Sequence, residues 1–381
     1  MQPSVALDNR TAAKQTTMAI YYLTIGILTG LGFFLSKKRN DTAAAFSYLA
    51  VVFVVLTFLC SFRYAIGFDY FSYRDIYELT AAARLGSLLR SIWYEPLFFI
   101  VCKLCSLLGL PFQALVTVVS SFVVFVALWL IFRYSSIPWL SVYLYITLQF
   151  LAYDMNLMRQ AVAVSFFLLA YPSLKNQRLA PYTLILFIGG LFHNSLWFVY
   201  PLYFILPKKL SHKAAGCLLL ITLCGYVCFD PLFLLVRPVL PEKYAIYQET
   251  YFWNSNHWEY VVLPAAYLLL ICLFQNRIQD QAKRTIYKNS ALLYCLISIF
   301  ITKHFILERF AVYPFVFSLL AIPEIVSSYQ SSSHKKYACI LLLFLFYGGA
   351  AFVFAASKGF HNVYPYVSLL DRSCSAPAGV P

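Results

Sequence analysis

Residues 63–77 read RYAIGFDYFSYRDIY and come directly after the apolar run AAAFSYLAVVFVVLTFLCSF at 43–62. The run is long enough to cross a hydrocarbon core as one helix, which takes about 20 predominantly apolar residues. The 63–77 stretch differs in kind: Arg63, Asp69, Arg74 and Asp75 stand among Tyr64, Tyr70, Tyr73 and Tyr77. Guanidinium groups grip diphosphate through planar, bidentate hydrogen bonds, and tyrosines beside carboxylates suit sugar faces. The pattern fits a site for a phosphorylated, sugar-bearing lipid. It equally fits an interfacial loop, with aromatic rings at headgroup depth and arginines snorkelling.

Composition narrows the class. Of 381 residues, 61% are hydrophobic and 12% charged, with 35 Phe and 30 Tyr, whereas soluble domains hold about 45–50% apolar residues. The chain reads as an all-α polytopic integral membrane protein, one transmembrane unit over 1–381, with the lipid bilayer as its partner. The formal charge of +14 is distributed singly between apolar spans, which marks topology and not a nucleic-acid partner. Nine of the ten cysteines lie in apolar runs and read as small buried hydrophobes. Cys102 and Cys105 form a C-x-x-C without a second Cys or His pair at metal spacing, so no metal and no cofactor is expected. Residues 18–35 read as a retained first helix, because a polar stretch precedes them without a convincing cleavage site.

Apolar runs recur at 18–35, 43–62, 96–110, 112–132, 137–152, 157–171, 180–192, 195–206, 214–229, 260–274, 290–306, 310–326 and 337–356. Five connectors collect 14 of the 29 basic residues: Lys37, Lys38 and Arg39; Lys175 and Arg178; Lys208, Lys209 and Lys213; Arg277, Lys283, Arg284 and Lys288; Lys335 and Lys336. The positive-inside rule places all five in the cytoplasm. The loops at 63–95 and 230–259 are then outside, and 357–381 is a C-terminal tail. Parity requires one run not to cross. We assign this role to 96–110, interrupted by Lys103 and followed by Gly109, Leu110 and Pro111, as an interfacial or re-entrant helix. About twelve transmembrane helices result. Residues 180–206 read as a broken hairpin, with Gly189, Gly190, His193, Asn194 and Ser195 at an apex inside the protein; a plain span whose His is satisfied by a neighbour is the alternative.

Charges at span edges are costly, about 2.5–3.5 kcal/mol each near a helix centre, and mark function by default. The predicted outer face carries Arg63, Asp69, Arg74, Asp75, Glu95, Asp154, Arg159, His193, His304, Glu308 and Arg309. Arg63 ends one span, Arg159 opens another beside Asn156 and Gln160, and Arg309 opens a third ahead of Tyr313. Three guanidiniums would then surround one point and stabilise a diphosphate leaving group without a metal. An acceptor hydroxyl also has to lose its proton, for which Asp69, Glu95 and His193 are candidates. Bland roles are open too: Asp69 pairing with Arg63 or Arg74, Glu308 with Arg309, and His193 orienting a helix. Tyrosines, two tryptophans and His257 at 244–260 suit sugar stacking or an aromatic belt. No Walker-type loop, H-E-x-x-H or G-x-S-x-G occurs, which disfavours ATP-driven transport and nucleotide-sugar chemistry.

Taken together, Arg63, Gly67, Asp69, Tyr70 and Tyr73; Glu95 before a short apolar helix; Asn156, Arg159, Gln160 and Ala161; Phe192 and His193; and Arg309, Phe310 and Tyr313 resemble the EpsG-type branch of the Wzy polysaccharide polymerases, over residues 43–326. The resemblance implies a GT-C-like or Wzy-like bundle in the bacterial inner membrane. Its implied substrates are undecaprenyl diphosphate-linked repeat units of O-antigen, capsule or exopolysaccharide, polymerised at the periplasmic face. It implies diphosphate and sugar binding by Arg63, Tyr70, Tyr73, Arg74, Asn156, Arg159, Gln160, Arg309 and Tyr313, and chain-length regulator and flippase proteins as further partners. The outer loops are shorter than in many Wzy proteins, which shifts weight to helix ends. An O-antigen ligase and a flippase for the same lipid are the rival readings.

Overall fold

The structure, a computed structural model, describes residues 4–35, 42–84, 86, 95–239, 258–330 and 333–373. The basic cluster at Lys37, Lys38 and Arg39, the loop portion 87–94, the aromatic stretch 244–257 and Cys374 lie outside the described residues. Helices make up almost all of the rest, and no strand occurs among the described residues.

Six of these helices are long and apolar enough to cross a membrane: Met18–Leu35, Thr42–Ser61, Phe112–Tyr134, Lys213–Leu235, Glu259–Arg277 and His334–Ser357. A seventh candidate is the pair Phe305–Phe315 and Ser318–Ser327, bent by 42°. The twelve expected spans are not reproduced as twelve long helices, because several apolar runs are broken. Residues 137–171 contain Pro138–Thr147, Phe150–Asn156 and Met158–Leu169, interrupted at Gln149, whose φ is 72°, and at Leu157. Every residue from 141 to 153 is buried, as expected of a helix that is apolar all round. The Pro138–Thr147 helix is enclosed by Ser4–Leu35, Ser318–Ser327 and His334–Ser357, so neighbouring protein can satisfy the backbone that its breaks expose.

Ion pairs sort the connectors to one end of the bundle. Lys175 lies 2.7 Å from Asp280, Lys283 2.9 Å from Glu324, and Arg277 sits over the Tyr329 ring at 4.4 Å. At the opposite end, Thr42–Ser61 stops at Phe62–Arg63 and Phe112–Tyr134 begins. Gln113 ties the two by donating to the carbonyls of Ser61 and Arg63.

The described part of the predicted C-terminal tail is built into this same end. The chain turns at Gly359, with φ of 62°, and runs back along 62–67. Tyr64 N–H donates to Val367 O at 2.9 Å, Leu369 N–H to Phe62 O at 2.9 Å and Gly67 N–H to Asn362 O at 3.1 Å. An isolated antiparallel bridge joins Arg63 and Ser368. Tyr366 and Tyr21 fasten the segment through Leu59 O and Val363 O.

Leu179–Gly190 and Ser195–Ile205 form two short arms, joined by a turn at 191–194. A Cβ on Gly189 would stand 2.5 Å from both Leu196 Cδ2 and Phe166 Cβ, so the absent side chain is what lets the arms close. Gly189→Ala is therefore expected to destabilise the protein by about 1–3 kcal/mol through overpacking, read as a lower melting temperature of the purified protein in detergent. An unchanged melting temperature would show that the arms are not closely packed there.

Candidate functional site

Arg159 and the Arg309 backbone belong to one hydrogen-bond network, and Arg63 belongs to another. Arg159 is the second residue of Met158–Leu169, and its guanidinium faces Tyr73 at 5.7 Å and Phe98 at 5.9 Å. Arg309 opens Glu308–Phe315, and its backbone carbonyl accepts from Gln160 Nε2. Burial pushes the Tyr73 phenol up to about 12, with Asp69 adding to the rise and Arg159 and Arg309 opposing it. Its hydroxyl thus stays protonated near neutral pH and can donate.

Arg63 corrects the expectation of three convergent guanidiniums. It is 0% exposed and donates to Cys60 O, to Met155 O at 2.9 Å and to Ser120 Oγ at 3.4 Å. The carbonyls left open at helix ends pull it inward, where it joins elements instead of facing a ligand. Arg74 lies on an exposed helix face. It points along its own helix to Asp75 at 4.0 Å and Glu78 at 3.6 Å, an exposed i,i+4 arrangement of small energetic weight. Tyr70 is buried and donates to Gln113 Oε1 at 3.1 Å, so it braces the helix ends.

Glu95 anchors one cluster. Its conformation is left-handed, with φ of 57°, immediately before Pro96, which starts the next helix. The side chain is 2% exposed and lies 2.6 Å from Arg159 NH1. Its other oxygen accepts from Asn194 N–H at 3.2 Å and stands 3.8 Å from His193 Nε2. His193 Nδ1 and Ser195 Oγ are 2.7 Å apart, and Ser195 Oγ and Tyr313 OH are also 2.7 Å apart. The predicted apex at 193–195 thus reaches Glu95, Arg159 and Tyr313, although these lie far apart in sequence.

A second cluster adjoins it in a small pocket lined by Phe68, Asp69, Asn156, Leu157, Phe305, Ile306, Glu308, Arg309 and His361. Asn156 Oδ1 accepts from Asp69 N–H at 3.1 Å, and Asn156 Nδ2 lies 2.7 Å from His361 Nδ1. Gly67 permits this approach, since a Cβ there would stand 3.0 Å from Asn156 Oδ1, and its φ of 96° also favours glycine. Sequence reasoning passed over His361, which lies beyond the last apolar run; the only local signal is the Gly-Phe-His-Asn at 359–362. Of the remaining predicted outer charges, Asp154 accepts from the Tyr145 hydroxyl in the interior. His304 sits 2.8 Å from Asp230, which also pairs with Lys303 at 2.6 Å.

Fold and site together define an α-helical, multi-pass membrane protein whose charged clusters lie where helices end. More narrowly, the chain belongs to the EpsG family, whose model matches residues 46–368. Compared with curated proteins and with solved structures, it gives no match. The matched span runs past 326 to Ser368, so it takes in the folded-back segment and His361.

The two arginine types make separable predictions. Arg63→Met leaves buried carbonyl acceptors alone, at about 1–3 kcal/mol each, and should lower the melting temperature and yield. Arg159→Lys, which keeps a cation beside the buried Glu95 carboxylate, should leave the melting temperature within a few degrees of wild type. Equal losses for both would contradict the assignment of Arg63 to the framework.

Proposed function

We propose that this chain is a membrane polysaccharide polymerase that transfers a growing glycan from undecaprenyl diphosphate to the non-reducing end of another lipid-linked repeat unit, at the periplasmic face of a bacterial inner membrane. Membership in the EpsG family supports the polymerase reading. The observation that carries the site assignment is Arg159 paired with the buried Glu95 at 2.6 Å, with the adjacent Gln160 bonded to the Arg309 carbonyl, at the end opposite the basic connectors.

The sidedness rests on charge. Basic connectors stay cytoplasmic, which turns the two clusters outward. If each broken apolar run counts as one composite pass, the arms of the hairpin count separately and Pro96–Leu107 does not cross, the chain makes twelve passes. Lys103 sets Pro96–Leu107 apart: it donates to the carbonyls of Ala81 and Ala83 at the end of helix Tyr70–Ala82, which supports that exception.

In the reaction, Arg309 and Arg159 would hold the diphosphate and stabilise the charge that develops as the glycosyl bond breaks. Glu95 holds Arg159 in place beforehand, so little reorganisation accompanies the reaction. Asn156 lines the pocket, while Gln160 holds the Arg309 carbonyl and Tyr313 the Ser195 hydroxyl. Among the predicted bases, Glu95 has both oxygens engaged and serves better as an anchor, while Asp69 and His193 line the approach. A flippase would instead line its basic groups along a path to both faces; a ligase would share the donor site and differ in its acceptor.

Deleting the gene and resolving the surface glycan on a gel tests the reading. Polymerase loss leaves product with one repeat, flippase loss leaves none, and ligase loss leaves long unattached chains. Arg159→Ala and Arg309→Ala should stay in the membrane and reduce polymerisation by ~100-fold or more. Lysine at either position should rescue poorly, because an ammonium cannot make the planar double contact. Long chains from either alanine variant would refute the site.

A further inference from the structure

The pocket beside Arg309 holds a chain of contacts whose direction can be deduced. Asp69 N–H can only donate, so the amide face of Asn156 turned toward it is Oδ1. Nδ2 must then be the atom that faces His361, and it too can only donate. His361 Nδ1 accepts at 2.7 Å, which leaves the ring hydrogen on Nε2. That Nε2 lies 3.2 Å from Glu308 Oε2 but off the axis of a hydrogen bond, and it has no hydrogen-bond acceptor. His361 is 5% exposed.

A buried donor without an acceptor costs about 1–3 kcal/mol, yet here the backbone holds it in place. His361 has a φ of 55°, and its segment is fixed by the Gly67–Asn362 hydrogen bond. Both His361 and Glu308 line the pocket that Arg309 and Asp69 share. A hydroxyl oxygen about 2.8 Å from each would complete a triangle on the 3.2 Å side. It would accept from Nε2–H and donate its own hydrogen to the carboxylate. A sugar hydroxyl has this donor and acceptor pair; a phosphate oxygen, with no hydrogen to give Glu308, does not.

On the polymerase reading, on which this inference rests, we propose that Glu308 is the base for the attacking sugar hydroxyl and that His361, held as its Nε2–H tautomer by Asn156, positions that hydroxyl. The O–H bond breaks and its proton passes to Glu308. The hydroxyl oxygen's electron pair forms the new bond to the anomeric carbon of the donor glycan. The bond from that carbon to the diphosphate oxygen breaks, and its electron pair leaves with the diphosphate, which Arg309 and Arg159 hold. Besides His361, the titratable and charged groups around Glu308 are Arg309 and Asp69 in this pocket, and Tyr153, Glu259, Tyr260 and Tyr294 in a second cavity that Glu308 also lines; the Tyr153 ring lies 5.2 Å from that of His361.

The test uses the full chain in proteoliposomes. The substrate is the lipid-linked repeat extracted from a strain lacking the gene, with polymer read on a gel and binding read by retention of that lipid. E308Q should polymerise ~100-fold more slowly or worse with retention unchanged, and E308D should recover part of the rate. H361A should lose roughly tenfold or more, and H361Q should restore much of it, because a glutamine amide can accept from Asn156 and donate to the hydroxyl. N156D keeps the acceptor for Asp69 N–H but sets a second acceptor against Nδ1, which moves the ring hydrogen away from Nε2; it should resemble H361A at an unchanged melting temperature. Should E308Q fail to fold, E308D together with the contrast between H361A and H361Q decides the matter. The proposal is overturned if E308Q stays within about threefold of wild type, or if H361Q is as impaired as H361A. If wild type polymerises and Arg159→Ala does not while E308Q does, only the base assignment falls. If wild type makes no polymer from the extracted lipid, the polymerase reading falls and takes this one with it.

Discussion

Backbone polar groups need partners where no water reaches them, and the break at Met155–Leu157 is where that requirement shapes this protein most. When Phe150–Asn156 ends, the Met155 carbonyl loses its helical partner, and Arg63 fills the gap from another helix at 2.9 Å. The next residue, Asn156, turns its amide to Asp69 and His361. The helix that restarts at Met158 carries Arg159 and Gln160 to Glu95 and Arg309. One interruption, at Leu157, thereby sets the placement of both clusters. A continuous helix through 150–169 would satisfy its own backbone and leave Arg63 buried with fewer acceptors.

The apolar runs and the order of Arg159, Glu95, His193 and Arg309 could be read in advance because cost leaves a trace: charges at span edges are rare unless something holds them. Their meeting place was legible only as far as each sits at an end of a run on the same predicted side. Helix number was less legible. Run length separates a crossing from a surface helix, but a buried stretch such as 138–169 is apolar all round whether it is one helix or several. Gln149 and Leu157 are unremarkable in sequence, and their φ of 72° and their break belong to tertiary packing.

Individual arginines posed a related problem. A guanidinium at a span end finds acceptors equally well in open carbonyls or in a ligand, and composition does not distinguish them. Arg63 took carbonyls, whereas Arg74, with Glu78 four residues on, took the helix surface. The folded-back segment was invisible for another reason. Residues 359–371 have no periodicity, and their hold on 62–67 comes from backbone pairing and from Tyr364 and Tyr366 reaching Gln149 Oε1 and Leu59 O.

The clusters draw on 69–73, 95, 156–160, 193–195, 308–313 and 361, and each of these pieces lies at or near a helix terminus or turn. Membrane solvation gives a reason for this pattern. Inside a continuous span every backbone group is already paired, so a polar side chain there must find all its partners among other side chains. At a terminus, unpaired N–H and C=O groups supply directional partners, as Asn194 N–H does for Glu95 and Asp69 N–H does for Asn156. Those partners fix rotamers and tautomers without extra charge, which a low-dielectric surrounding makes costly. Short, broken helices are in this view the means by which an apolar chain gathers polar groups to one place, and the loss of helix length is the structural consequence.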